Sequence, residues 1–231
     1  MHFGAPDPLY SNYPGNSPWS HTAANPLNAV DADGMEWRLV KDDDGKPFGY
    51  EWVEGKDAYD EKGNLLPGVY KNAIFFTATG KNGEKFDAGN GGKNMGTSIA
   101  IVYGDKKDDI IEYKACTNPT DPDKYATVPA GEYEAMVGLH KGDYPALRLS
   151  DIGTTDFSNN KIELGMPNPS AIDKTYAQGI NIHKAGTDNF TGKMRNDKPI
   201  SAGCLLIDRG NWNSFMSNFK SGVLIGVTIQ R

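Results

Sequence analysis

The sequence predicts a mainly β chain with one packed helix, on three observations. Turn formers abound, with 27 glycines and 14 prolines among 231 residues, and aromatics make up 10% of the chain, so the excess marks turns rather than disorder. Short apolar–polar alternations recur from about residue 97 onward. Only one stretch, near the C-terminus, carries apolar residues at the helical spacing i, i+3, i+4, i+7. A chain of this length can bury a sizeable core. Its 24 basic and 30 acidic residues give a net charge of −6, which argues against nucleic acid as a partner and supplies no polybasic patch for a membrane surface. No apolar run approaches the roughly 20 residues of a membrane-spanning helix, so no membrane span is expected. The opening Met1-His2-Phe3-Gly4-Ala5-Pro6 lacks a basic n-region and an apolar h-region, so no standard signal peptide is expected either.

Three regions follow in order. Residues 1–35 read as a Pro-rich strap. Pro6, Pro8, Pro14, Pro18 and Pro26 rule out a propagating helix and leave little alternation for strands. Residues 36–95 read as a turn-rich β segment or linker. Trp37, Tyr50, Trp52 and Tyr59 are interspersed with charges, and Asp42-Asp43-Asp44-Gly45 and Asp60-Glu61-Lys62-Gly63-Asn64 are hairpin-type turns. Neither acidic turn meets the spacing of a calcium-binding loop, so no metal is expected there. Residues 80–96, rich in Gly, Asn and Lys, read as a loop or boundary.

Residues 96–231 carry the sharpest pattern. Thr97–Tyr103 is apolar on both faces, as a central strand would be. Ile111, Tyr113 and Ala115 alternate with Glu112 and Lys114, a half-buried strand. Tyr133, Ala135 and Val137 alternate with Glu132 and Glu134 after the turn Pro129-Ala130-Gly131. Gly179–His183, Cys204–Ile207 and Val223–Ile229 read as further strands. Trp212, Phe215, Met216 and Phe219 predict the helix, with Asn211 as N-cap, Lys220 in the last turn and Gly222 just beyond. That apolar stripe is core packing.

Four histidines and two cysteines limit the chemistry. His2 and His21 lie in the strap without partners in the pattern, and His140 reads as a surface-loop residue. His183 ends Ile180-Asn181-Ile182 and opens onto Lys184-Ala185-Gly186-Thr187. Cys204 closes Ser201-Ala202-Gly203-Cys204. A free thiol has a pKa of roughly 8.5 and attacks as thiolate, so an imidazole is its usual activator. Ala202 and Gly203 would let a carbonyl approach the backbone, with the N–H groups of Gly203 and Cys204 as oxyanion donors. A buried inert thiol and a Cys116–Cys204 disulfide stay open as alternatives.

The motifs resemble two known families. Ile182-His183, then 17 residues (184–200), then Ser201-Ala202-Gly203-Cys204-Leu205 resembles the active-site signature of YkuD-type L,D-transpeptidases, a histidine followed by S/T-H-G-C and a hydrophobic residue. Val128-Pro129-Ala130-Gly131-Glu132-Tyr133 is similar to that family's TPxGxY segment, and Tyr144-Pro145-Ala146-Leu147 falls between the two as in the family. The order His before Cys differs from NlpC/P60 and papain-type hydrolases. In the strap, Asp7-Pro8-Leu9, Tyr13-Pro14, Ser17-Pro18-Trp19, Asn25-Pro26 and Asp31-Ala32-Asp33-Gly34 resemble the closing motif of Rhs/YD-repeat cores, which precedes a variable C-terminal effector.

The resemblance implies an L,D-transpeptidase-like β-sandwich or barrel over residues 96–231. It implies a peptidoglycan enzyme that acts on the L,D bond of tetrapeptide stems by transpeptidation, D-amino-acid exchange or carboxypeptidase cleavage. Cys204 would be nucleophile and His183 base, with the Lys184 carbonyl orienting the imidazole and Ser201 and Gly203 completing the catalytic loop. No cofactor and no metal are implied. Two departures stand out: Ala202 replaces the family's second histidine, and Leu206 replaces its Asn or Arg. Substrate seating therefore falls to Arg209, Arg195, Arg148 and Tyr144 as candidates. A loosened S-x-G-C signature of this kind resembles that of secreted interbacterial effectors, which implies an extracytoplasmic site of action and an Rhs-type secretion apparatus or immunity protein as partner. The departures also admit a catalytically inactive wall-binding or secretion-adaptor module that keeps the fold.

Overall fold

The computed structural model describes residues 35–54, 57–61, 63–77, 95–186, 190 and 200–231; the strap, most of the Gly/Asn/Lys-rich loop and Arg195 lie outside the described residues. The first elements form a small antiparallel sheet. β1 (Met35–Lys41) and β2 (Pro47–Glu54) make a hairpin, and β3 (Val69–Tyr70) pairs with the other edge of β1. The hairpin turn is the acidic one expected: Asp42 Oδ1 accepts from the Asp44 and Lys46 amides, and Gly45 sits at φ 78°, where a side chain would be strained.

The remaining strands are β4 (Asn72–Thr77), β5 (Ser98–Tyr103), β6 (Ile110–Cys116), β7 (Gly131–His140), β8 (Tyr144–Asp151), β9 (Lys161–Glu163), β10 (Tyr176–Gln178), β11 (Asn181–Lys184), β12 (Leu205–Ile207) and β13 (Ile225–Ile229). Eight of them close into a barrel in the order β11-β12-β6-β5-β4-β13-β7-β8, while β9 and β10 pair as a separate hairpin. Two pairings are parallel, β11 with β12 and β13 with β4. The mainly β expectation and the barrel alternative are borne out. Inside the barrel, Ile74, Phe76, Val102, Leu147, Leu149, Ile182, Leu205, Ile207 and Val227 are all buried. The helix α1 (Trp212–Met216) adds Trp212 and Phe215 to this core.

The small sheet docks on the outer face of β4, β5 and β13. Trp37, Tyr50 and Tyr70 pack against Ala73, Phe75 and Tyr103 in a second apolar cluster. The Trp37 indole donates to the Gly104 carbonyl at 2.6 Å, and the hydroxyls of Tyr50 and Thr228 are bonded at 2.9 Å. Aromatic pairs in edge-to-face contact, such as Trp37 with Tyr103 at 4.8 Å, add about 1 kcal/mol each beyond area burial. Gly226 on β13 leaves room for the Tyr70 ring, which a Cβ would overlap.

The described part of residues 36–95 holds strands, and β4 is an integral barrel strand that carries the barrel back to Asn72. Three expectations about helix end, cap and last strand are corrected. The helix stops at Met216 instead of running to Lys220. Asn211 makes no side-chain cap; Asp208 instead accepts from the Gly210 amide and starts a short 3-10 turn that leads into α1. The last strand begins at Ile225, not Val223.

Gly226→Val is expected to force the Tyr70 ring off β13 and lower stability by about 1–3 kcal/mol, the usual cost of overpacking. Urea denaturation followed by tryptophan fluorescence would measure this, since Trp37 and Trp52 sit in the affected cluster. An unchanged midpoint would contradict the docking described.

Candidate active site

Strand alternation decides which side chains meet. On β11 the Ile182 side chain enters the barrel core, so Asn181 and His183 face outward. On β12 Leu205 and Ile207 enter the core, while Leu206 joins an outer cluster, so Cys204 also faces outward. The parallel register pairs Ile182 with Leu205 and His183 with Leu206. With strands about 4.8 Å apart and a rise of about 3.3 Å per residue, the α-carbons of His183 and Cys204 lie roughly 8 Å apart. Both side chains emerge from the same face, and the thiol's own hydrogen bonds go to the Asn181 amide and the Gly179 carbonyl.

β8 and β7 extend this outer face. β8 pairs with β11 through Arg148–Asn181 and Leu147–Ile182, and with β7 through a hairpin whose last pair is His140–Tyr144. Tyr133, Ala135 and Val137 point inward, which turns Gly138 and His140 outward. The turn closes with Lys141 at φ 51°, Gly142 at φ 74° and the Asp143 amide on the His140 carbonyl at 2.9 Å.

His183 is buried and tightly held. Its Nδ1 lies 2.9 Å from the Lys184 carbonyl, which accepts only, so Nδ1 carries the proton and Nε2 keeps the lone pair. The Tyr144 hydroxyl sits 3.3 Å from the same nitrogen, and the Lys184 ammonium lies 4.3 Å from the Tyr144 ring centroid. The His140 ring stacks on His183 with centroids 4.2 Å apart and planes 31° from parallel. Burial, the nearby His140 and Lys141 push the His183 pKa down to about 4, against a smaller upward pull from the Lys184 carbonyl. The imidazole is therefore neutral at physiological pH.

The half-buried Cys204 thiol lies 3.4 Å from the Asn181 amide, which donates to it, and 3.9 Å from the Gly179 carbonyl. Burial raises its pKa, with the Asn181 N–H and Lys141 acting in the opposite direction. Cys204 is therefore a neutral thiol beside a neutral imidazole. Burial, then the nearby Cys204, also raises the Tyr144 phenol. The disulfide alternative falls, since both cysteines are free. Cys116 lies 3.3 Å from the Met95 carbonyl, and burial takes its thiol to about 11.

The loop that presents Cys204 is shaped from behind. Ser201 Oγ donates to the Cys204 carbonyl at 2.6 Å and accepts from the Gly203 amide at 3.2 Å. Thr120 clamps the same loop, its hydroxyl accepting from the Ser201 amide and its amide donating to the Ser201 carbonyl, both at 2.9 Å. Gly203 sits at φ 119°, and a Cβ there would lie 2.9 Å from the Ala126 carbonyl oxygen and 3.1 Å from Ile180 Cδ1. Arg231 braces the supporting segment through the Thr117 and Val128 carbonyls and Asn118 Oδ1. Because the Gly203 N–H is engaged by Ser201, the contribution of Gly203 here is conformational.

The seating candidates divide. Tyr144 is in the site. Arg148 lies beside it on β8, where its chain covers Gly138 and its guanidinium donates to the Phe157 carbonyl at 3.2 Å. Arg209 donates to the Gly186 carbonyl at 3.3 Å, at the end of the segment that follows His183. Leu206 is buried with Met95, Cys116, Ala185 and Phe190. Two residues of the site escape the sequence reading: Asn181, and His140, which is no loose surface residue. The signal for His140 was available, because a hairpin through Lys141-Gly142 with Tyr144 in the site places His140 opposite it. Among the described residues no group of three or more His, Cys, Asp or Glu could hold a metal ion. Comparison with protein-family models, curated proteins and solved structures finds no significant match to this chain.

Because burial raises the Cys204 thiol, its alkylation by iodoacetamide in the folded protein is expected to be slow at pH 7. It should rise with a midpoint above the roughly 8.5 of a free cysteine. Peptide mapping after timed labelling measures this, and a Cys204 midpoint below 7 would contradict it. Gly203→Ala is expected to cost about 1–3 kcal/mol by denaturant titration, through both its φ and the Ala126 contact.

Proposed function

We propose that this chain is a cysteine-dependent acyl-transfer enzyme of the L,D-transpeptidase type, acting on the L,D bond of peptidoglycan tetrapeptide stems. The observation that carries the reading is the emergence of Cys204 and His183 from one outer face of adjacent parallel strands, with His183 Nδ1 fixed on the Lys184 carbonyl. That arrangement leaves Nε2 as the free basic nitrogen.

In this reaction His183 Nε2 takes the thiol proton as Cys204 Sγ attacks the carbonyl carbon of the diamino acid. The oxyanion forms against the Cys204 N–H. Collapse breaks the C–N bond, and the proton on Nε2 passes to the leaving D-alanine amine, leaving a thioester on Cys204. An acceptor amine or water, deprotonated by His183, then attacks the thioester and expels the thiolate, which recovers the proton. Amine acceptors give cross-linking or D-amino-acid exchange, and water gives carboxypeptidase cleavage. The Rhs-like order of the strap supports delivery of the chain as a secreted effector, with peptidoglycan as its extracytoplasmic target.

A second reading, an inactive module of the same fold, has specific support: the thiol is neutral at rest, and Leu206 is buried where the family seats substrate. Incubation with purified tetrapeptide muropeptides and mass spectrometry separates the two. Conversion is expected for the wild type, with Cys204→Ala and His183→Ala reducing it by at least about 10³-fold, the scale on which one member of a nucleophile–base unit fails. Absence of conversion by the wild type, or full activity of Cys204→Ala, overturns the enzymatic reading. Because the base form of His183 persists down to about pH 4, the acid limb of kcat/KM is expected near that value and not near the ordinary 6.5 of histidine. A pH–rate profile on the same substrate measures it.

A further inference from the structure

The signature lacks a second histidine in the loop before Cys204, where Ala202 stands. The fold brings another imidazole to the site from a different strand. We infer that His140 is the second imidazole of this site, a positioning residue that holds the His183 ring by stacking on it and connects it, through Asn181, to the Cys204 thiol.

The connection is made of three contacts around one residue. The Asn181 main-chain N–H donates to Cys204 Sγ at 3.4 Å. Its side-chain amide donates to the Gly179 carbonyl at 2.9 Å, and at a longer 3.5 Å faces His140 Nδ1. An amide nitrogen can only donate, so neutral His140 accepts at Nδ1 and carries its proton on Nε2. The ring of His140 then lies over His183 at 4.2 Å, with Tyr144 on its other neighbour contact at 5.3 Å between centroids. His183 is thus held at its edge by the Lys184 carbonyl and on its face by His140.

Two imidazoles at this distance repel when both are charged, so the pair takes its first proton without taking a second. His140, less buried than His183, is the site of that first proton, and its charge then adds to burial in keeping His183 a base. The other charged or titratable groups facing the pair are Lys141 from the β7–β8 turn, Tyr144 from β8, Lys184 from β11 itself and Cys204 at the start of β12. Lys141 opposes protonation of both rings, and Asp143 favours it at His140. The catalytic consequence of this arrangement rests on the acyl-transfer reading, but the coupling between the rings does not.

The test is an NMR titration of the imidazole Cε1–H and ring nitrogens of the full chain, wild type against His140→Phe and His140→Ala. Phe keeps a ring to stack on His183 but cannot be charged, and Ala removes both. The His183 midpoint is expected to rise in His140→Phe by about half a pH unit or more, and further in His140→Ala as water reaches the ring. On muropeptides, His140→Phe is expected to retain kcat at neutral pH within about threefold while its acid limb moves upward, whereas His140→Ala loses about tenfold or more in kcat. An unmoved His183 midpoint in both variants overturns the proposal, even where the wild type converts muropeptides. A raised midpoint in a protein that converts no muropeptide upholds the coupling and removes only the enzymatic reading.

Discussion

The parallel pairing of β11 with β12 is the constraint on which the site depends. Ile182, Leu205 and Ile207 are all fully buried in the barrel, and that burial fixes the register. A one-residue slip in either strand would carry its core residues to the outside and its outward residues to the core. Each of these side chains contributes about 1.5–3 kcal/mol on burial, so a slip would be strongly disfavoured. Asn181, His183 and Cys204 therefore face outward because their neighbours must face inward. A core requirement has placed three polar side chains on one patch of surface.

Burial also sets the protonation state of that patch. His183 and Cys204 are each pushed toward their neutral forms, the imidazole downward and the thiol upward. An ion pair in this setting would have to be desolvated without the hydrogen bonds that normally offset the cost, and among the described residues the Asn181 N–H is the one donor to the sulfur. On the acyl-transfer reading, attack by such a pair couples proton transfer to bond formation, since charge appears on sulfur only when a carbonyl is there to receive it. Reactivity toward a general alkylating agent and reactivity toward a bound substrate are separate properties of this thiol.

What the sequence made legible was set by how locally each feature is encoded. Strands with one wet face, such as β6 and β7, announced themselves by alternation, and the acidic β1–β2 turn by its Asp and Gly. β4 did not, because all six of its residues are buried and Asn-Ala-Ile-Phe-Phe-Thr carries no period. α1 was overextended because Trp212, Phe215, Met216 and Phe219 satisfy helical spacing, while Phe219 reaches the same core from a turn beyond the helix. The pair His183 and Cys204 was singled out through the motif it resembles. Asn181 was not, since nothing in that motif marks it and its contact with the thiol comes from strand adjacency. His140 was readable as the residue opposite Tyr144 across the β7–β8 turn, but its contact with His183 comes from strands distant in the chain.

The two departures from the L,D-transpeptidase pattern have different structural consequences. Ala202 leaves the loop intact, because Ser201, Thr120 and the φ of Gly203 shape it without a side chain at position 202. Leu206 changes the site's surroundings more. It faces the same side as Cys204 but is buried with Met95, Cys116, Ala185 and Phe190, with Ile200 packed against them. Among the described residues, β8 and the β7–β8 turn present Tyr144, Arg148, His140 and Lys141 on the other flank. On the acyl-transfer reading, that flank can meet the carboxylate of the departing D-alanine. The same hairpin would then supply both the counter-charge to the substrate and the ring that steadies the base.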